Sequence, residues 1–492
     1  MNVTEVIVFA VYLLFMLGIG VFFFFKDKNG GEKTLFLGGR QMGPWVAALS
    51  AGASDMSAWV LMGLPAGIYA AGMGQVWIPV GLAIGYTLSW FIVAPRLRRF
   101  SIVANDSITI PQYLTNRFLS KSKALQVICA VVFLTAYTVY AASSVVACGE
   151  LFNTVIGIDK TVAMIVAAVI IVGYTFLGGF SAVCWTDFFQ GMLIFGAMLI
   201  APIFAAASLQ SGANEVIADA AYWNPFINWK DIVSGLTWGL GYFGMPHIIV
   251  RFMSIRSQST MKKSAFIGIT WTLVVLICAA LIGIVGRMYL GFDENMGSLV
   301  FIKMVRSIFP ALISGVLLSA ILAASMSTAD SQLLAASSAF ASDVYKPIFR
   351  KNKASDREMM WAGRLVILAV AVLALVIALA PGTKTIMSLV ENAWGLFGAA
   401  FGPAIILSLF WKRFNFNGAL AGIITGAVVD VAWLVFLNDG LGLLGLENPL
   451  GVYEILPGFV VGMLAAVIVT LATAKPSEEV EKLFDAAVNY TE

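Results

Sequence analysis

The residues with most chemistry to offer in this sequence are carboxylates and hydroxyls set inside apolar stretches. Asp55 stands in Leu49-Ser-Ala-Gly-Ala-Ser-Asp-Met-Ser-Ala-Trp59, which is followed by Gly63, Pro65 and Gly67. A charge at the centre of a bilayer costs at least about 2.5–3.5 kcal/mol, so Asp55 needs a partner, either backbone amides freed by a helix break or a bound cation. A second polar stretch, Ala323-Ala-Ser-Met-Ser-Thr-Ala-Asp-Ser-Gln332, spaces Ala324, Ser327, Thr328 and Ser331 at i, i+3, i+4 and i+7, one face of a helix. Two hydroxyls and a carbonyl on that face offer the hard oxygens a monovalent cation needs, and unwound carbonyls near Ala53 and Met56 would close the shell. The competing use of such hydroxyls is bonding back to the carbonyl one turn earlier. Asp330 and Asp187 are two further carboxylates. Converging with Ser331 they would form a second cation or proton site; lying near the inner mouth they would be ordinary solvated aspartates. Glu150, Glu391 and Asp430, within or near apolar segments, suggest only pairing or snorkelling.

The elements that must position these groups are membrane helices. Hydrophobic residues make up 60% of the 492, charged residues 12%, and the mean hydropathy is +0.91. A soluble domain carries about twice that charged fraction. Hydropathy predicts about thirteen spans, at 4–25, 42–72, 74–95, 124–151, 160–177, 183–207, 231–252, 264–290, 309–341, 359–380, 384–410, 416–438 and 452–474. With that alternation, Lys and Arg fall on one side by roughly four to one, which predicts an outer N-terminus, an inner C-terminus and residence in the cytoplasmic membrane. Arg251 is counted there as a residue of an inner loop, and Lys28 and Lys384 enter the tally on opposite sides.

Two spans are interrupted. The first is 42–72; the second, 231–252, carries Trp238-Gly-Leu-Gly-Tyr-Phe-Gly-Met-Pro246. Paired Gly/Pro-broken helices of opposite direction, in two blocks at 42–207 and 231–380, point to a secondary transporter built from inverted repeats. The expected fold is therefore an all-α polytopic membrane protein with a five-plus-five core and a broken first helix in each repeat. Residues 1–41 would add a helix and loop, 42–411 form the core, 412–474 add two peripheral helices, and 475–492 form a short solvated cytosolic tail.

Other classes find little support. The formal charge of +3 is too small to suggest nucleic-acid binding. Cys129, Cys148, Cys184 and Cys278 lack metal-ligand spacing, and His247 is the single histidine. No GxxxxGK[ST] motif occurs, and no catalytic constellation suggests an enzyme. A channel would show continuous polar faces, and a membrane sensor an output module. The first segment is too long for a signal-peptide core and lacks a basic stretch ahead of it.

At these residues the chain resembles the sodium/solute symporter family, and within it the bacterial sodium/proline symporters. The likeness is carried by Arg40, Ala53-Ser-Asp-Met-Ser57 with Trp59, Gly63-Leu-Pro-Ala-Gly67, Tyr140, Tyr174-Thr-Phe-Leu-Gly-Gly-Phe180, Trp185-Thr-Asp187, the Trp238–Gly244 string with Pro246-His247, and Met326-Ser-Thr328. The resemblance implies a sodium site from Ala53, Met56, Ala324, Ser327 and Thr328. It implies roles in sodium coupling for Asp55, Ser57 and Arg40, and a substrate pocket that includes Tyr140, Trp238, Tyr242 and Pro246, with Trp59 beside it. Read as an α-helix, Trp238, Tyr242 and Met245 face one way, an aromatic wall for a pyrrolidine ring. Sodium-coupled uptake of L-proline by alternating access is the activity implied. Met245 departs from the glutamine those symporters carry there, which keeps another small amino acid or a betaine-like osmolyte as the alternative solute.

Overall fold

The structure, a computed structural model, describes residues 2–26, 32–176, 179–209, 219–382, 385–437 and 451–491. Lys28, Leu177, Gly178 and Lys384 lie outside the described residues, as does the side chain of Tyr174. Among the described residues every element is helical, apart from one isolated bridge between Met42 and Ile255. Ten helical tracts are long and apolar enough to cross a membrane on that criterion alone, from Val3–Lys26 to Ile455–Ala472. The helix Lys160–Thr175 and the interrupted 231–252 segment are too short for it.

Both predicted breaks are present, and local chemistry explains them. In the first, Pro44 opens a helix, Pro44–Asp55, that ends when Met56 leaves helical geometry at φ −78°, ψ 72°. The chain restarts through a wide turn, Trp59–Gly63, and continues as Leu64–Ala71. Pro65 has no N–H to give to the carbonyl a turn earlier, which favours the widened turn before it. In the second, Trp229–Thr237 tightens into a 3-10 stretch, Trp238–Phe243, and a new helix, Pro246–Ser254, starts on Pro246. The tightened backbone undoes the α-helical reading of Trp238, Tyr242 and Met245 as one stripe, because a 3-10 turn holds three residues rather than 3.6. Met245 is extended, at φ −73°, ψ 106°. Small residues let backbones meet here: a Cβ on Gly85 would stand 2.2 Å from the Gly239 carbonyl oxygen.

The helix Ala311–Phe340 runs through the middle of the bundle, buried almost throughout, against Pro44–Asp55, Ala124–Ile156 and Phe180–Ala207. At the basic end the two broken spans are tied together, Met42 N donating to the Ser254 carbonyl and Arg256 N to the Met42 carbonyl, each at 3.2 Å. Arg40 clamps the same end, reaching the Met253 carbonyl at 2.6 Å, the Ser107 carbonyl at 2.8 Å and Asp106 at 3.0 Å.

Two expectations are corrected. Arg251 is no loop residue: it lies in the helix Pro246–Ser254 with 2% of its surface exposed. The charged tail is not simply solvated. It forms a helix, Glu478–Val488, whose Val480, Phe484 and Ala487 recur at helical spacing and are buried, with Phe484 5.3 Å from Phe100, ring to ring.

Candidate functional site

The two breaks meet at Asp55. Its Oδ2 accepts a hydrogen bond from the Tyr242 hydroxyl at 2.5 Å, and its carbonyl accepts one from Trp59 Nε1 at 3.1 Å. Its Oδ1, fully buried, has no hydrogen-bond partner. His247, on the helix after the second break, donates through Nε2 to the Ser54 carbonyl at 3.1 Å, so the second broken span closes on the end of the first. The Tyr140 hydroxyl lies beside Ser57 and Trp59 and makes no hydrogen bond of ordinary geometry.

One turn along, the predicted oxygens converge. The Ser327 hydroxyl donates to the Ala53 carbonyl at 2.7 Å and approaches the Ala324 carbonyl at 3.2 Å, and Thr328 Oγ1 stands 3.5 Å from the same Ala53 oxygen. Back-bonding and convergence are thus both realised in Ser327. All of these residues are buried. Four neutral oxygens on two helices, beside the point where Met56 unwinds, are a donor set suited to a hard monovalent cation.

Aromatic rings line the other side. Trp238 lies 6.5 Å from Trp59, 6.3 Å from Trp394 and 5.1 Å from Tyr453, centroid to centroid; Tyr242 lies 5.0 Å from Trp394 and 5.1 Å from Tyr86. Trp394 Nε1 donates to the Trp238 carbonyl at 2.8 Å, and a Cβ on Gly241 would collide with that indole at 2.0 Å. Trp394 and Tyr86 were not singled out from the sequence. The signal for Trp394 is its setting, Glu391-Asn-Ala-Trp-Gly395, a small and polar interruption in an otherwise apolar span. Met245 and Pro246 are buried at the second break, outside these ring contacts.

Asp187, Ser331 and Asp330 do come together, and none is a surface residue. A fourth group, unforeseen, is among them: Arg251 Nη2 lies 3.2 Å from Asp187 Oδ2 and 2.5 Å from Ser331 Oγ. The sequence signal was an arginine less than two turns beyond Pro246. Arg40 lies apart from this cluster, in the clamp at the basic end.

Broken helices of opposite direction closing on buried cation-type oxygens define a secondary transporter of the inverted-repeat class. Solved structures agree on the fold. A sodium-coupled sialic acid symporter, in a substrate-bound outward-open state, matches with a TM-score of 0.80 at 22% identity, covering 96% of this chain and 99% of that one. The nucleobase-cation-symport-1 transporter Mhp1, closed on bromovinylhydantoin, matches at 0.56 with 13% identity, over 92% and 98% of the two chains. The chain belongs to the sodium:solute symporter family, whose profile matches residues 35–426. It is 40% identical over 494 residues to the osmoregulated proline transporter OpuE of Bacillus subtilis, covering 98% of each chain. It is also 40% identical over 487 residues to the sodium/proline symporter of Staphylococcus aureus, covering 96% of this chain and 94% of that one.

Proposed function

We propose that this protein couples inward sodium flow to the uptake of L-proline by alternating access, in the cytoplasmic membrane, with its N-terminus outside and its C-terminus inside. The observation that carries the reading is the convergence of Ala53, Ala324, Ser327 and Thr328 oxygens beside the break that presents Asp55 to an aromatic wall. Relatives named for sodium and proline support it. Sodium, as cargo, would take the Ala53 and Ala324 carbonyls and both hydroxyls, with the Met56 carbonyl as a further ligand. The Ser327 proton turns away from Ala53 when the ion arrives. Drawing Ala53 toward the long helix orders the break, which positions Asp55, Ser57 and Trp59 for solute. Solute that orders the same break strengthens the sodium site in return, since coupling between two ligands is reciprocal.

The free Asp55 oxygen is the natural acceptor for the solute ammonium, and Tyr140, Trp59, Trp238 and Tyr242 would enclose the apolar ring, with Met245 and Pro246 at its edge. The solute carboxylate would meet amides at the helix ends. Arg40 takes a coupling role as the clamp between the two broken spans at the inner face; Asp187, Asp330 and Ser331 act at the neighbouring cluster. Residues 42–411 form the transport core, 1–41 and 412–474 its periphery, and 475–492 an inner tail. Met245 favours a second reading, a betaine-like osmolyte or another small amino acid, because a thioether replaces an amide that would bond solute.

The test is radiolabelled L-proline uptake into proteoliposomes with and without an inward sodium gradient. Saturable, sodium-driven accumulation that disappears in Asp55→Asn is the expected result. Sodium-driven flux of betaine or another amino acid alone would reassign the solute, and no gradient-driven flux of any of them would overturn the symporter reading.

A further inference from the structure

On the flank of the bundle, the helices Ala124–Ile156 and Asp356–Leu379 and the wide-turned segment Ala341–Phe349 enclose a groove of about 1220 Å³. Its polarity is sorted along its length. From Trp361 to Ile377 its lining on Asp356–Leu379 is apolar throughout, and Leu365 and Leu373 are more than half exposed. On the facing wall, Thr135 and Thr138 each donate to the carbonyl one turn earlier, at 2.9 and 2.6 Å, so neither hydroxyl has a proton left for a ligand. The charged lining residues, Arg357 and Glu358, both lie at one end. From Arg357 to Ile377 the helix rises about 30 Å, the depth of a bilayer's hydrocarbon core.

That end carries an excess of unanswered positive charge. Glu358 is engaged on both oxygens, by Arg350 Nη2 at 2.9 Å and by the Ser355 amide at 3.1 Å, and Lys346 pairs with Glu32. Lys351, Lys353 and Arg357 have no ion-pair partner among the described residues, against a single unpaired acid in the same stretch, Asp356. The Tyr345 hydroxyl, also of the lining, makes no hydrogen bond among the described residues.

We propose that this groove binds one phospholipid with an anionic headgroup, its acyl chains along Leu365 and Leu373 and its phosphate at Arg357, Lys353 and Tyr345. An amphiphile is the ligand whose polarity follows that of the groove. A polar solute would lose its hydration along walls that offer no donor in return. A wholly apolar molecule would leave the basic end unanswered, and a zwitterionic headgroup would leave its excess charge. Basic pockets between membrane helices at the inner surface select anionic headgroups for this reason. Trp361, one turn beyond Arg357, stands where indoles settle at a membrane interface. Tyr345 and Phe349 continue the long helix that carries Ser327 and Thr328, so a lipid seated here braces the inner end of that helix against Asp356–Leu379. The inference rests on the protein's place in a membrane and not on the identity of its solute or coupling ion.

The experiment is native mass spectrometry of the purified full-length protein after equilibration with vesicles of phosphatidylcholine and phosphatidylglycerol in equal amounts. The unmodified protein is expected to retain one phosphatidylglycerol, and to unfold at a higher temperature with that lipid than in phosphatidylcholine alone. Lys353→Gln with Arg357→Gln should weaken retention roughly thirtyfold and remove the thermal gain. Leu365→Trp with Leu373→Trp, which fills the groove and leaves the basic end intact, should also lose the lipid. Lys262→Gln with Lys263→Gln, at a basic stretch elsewhere, should change neither readout, and glycerol phosphate, a headgroup without chains, should not displace the lipid. Equal retention of both phospholipids, or of neither, overturns the proposal. So does undiminished retention in either groove variant, equal loss in the Lys262 and Lys263 variant, or displacement by glycerol phosphate, which would make the basic end a site for free phosphate.

Discussion

Two oxygen clusters lie one turn apart along the same pair of helices. Ser50 and Ala53 are three residues apart on the first broken helix, Thr328 and Ser331 three apart on the long one. At one level the oxygens are neutral, two carbonyls and two hydroxyls. At the next they surround a buried carboxylate with an arginine on it. The second broken span makes the difference. Its His247 reaches the first broken helix at Ser54 with a side chain that stops short of the neutral cluster, and its Arg251, one turn on, reaches Ser50 and Asp187 with a full positive charge. On the proposed reading a cation is exchanged at the first level, whereas at the second the carboxylate is already paired. Small polar residues at helical spacing are therefore not enough to identify an ion site; the third helix decides whether the charge is borrowed or built in.

The largest expected effect comes from breaking the built-in pair on its acidic side. Asp187→Asn strands the Arg251 guanidinium at 2% exposure. Removing one partner of a buried ion pair costs about 3–5 kcal/mol, because the other charge is left unanswered. The expected outcome is a marked fall in the thermal unfolding midpoint of the detergent-purified protein and in its yield. If the variant melts with the unmodified protein, Arg251 has another partner and the contrast between the two levels fails.

The neutral level responds in the opposite manner. Ser327→Ala removes one oxygen of the proposed sodium site while leaving no buried charge alone. Loss of a hydrogen bond or ligand to a charged group is worth about 2 kcal/mol, which is roughly a thirtyfold rise in half-saturating sodium. Unfolding measured without sodium should change by no more than about 1 kcal/mol, the usual scale of a neutral hydrogen bond. Titrating uptake against sodium and melting the same preparation separate the two. A stability loss without a shift in sodium dependence would make Ser327 a packing residue.

Much of this was legible in the sequence, for physical reasons that also mark the limits. Gly, Pro and small polar residues at mid-membrane depth announced both breaks, and helical spacing brought Ser327 and Thr328 to one face, where Ala53 meets them. Asp55 announced itself by cost. Arg251 did not, because hydropathy and charge counting both treat an arginine near a span's end as solvated, and neither sees a carboxylate on another helix. Met245 was misaligned with Trp238 because the spacing argument assumed α-helical geometry where three glycines and a proline impose a tighter turn. The tail helix went unread because its charges outweigh the three apolar residues that dock it. In each case the missing information was tertiary.

The smallest expected effect tests whether the aromatic wall is separate from both ion levels. Trp394→Phe keeps a ring beside Tyr242 but loses the 2.8 Å hydrogen bond from Nε1 to the Trp238 carbonyl, in a stretch whose backbone is already short of α-helical bonds. A neutral hydrogen bond contributes about 1 kcal/mol, so at saturating sodium the half-saturating solute concentration should rise roughly fivefold. Because Trp394 bonds the second broken span and not Ala53 or Ser327, sodium half-saturation measured with saturating solute should stay where it is. Equal shifts in both would mean that the 3-10 stretch and the neutral oxygens move as one body, and that the wall belongs to the ion site rather than facing it.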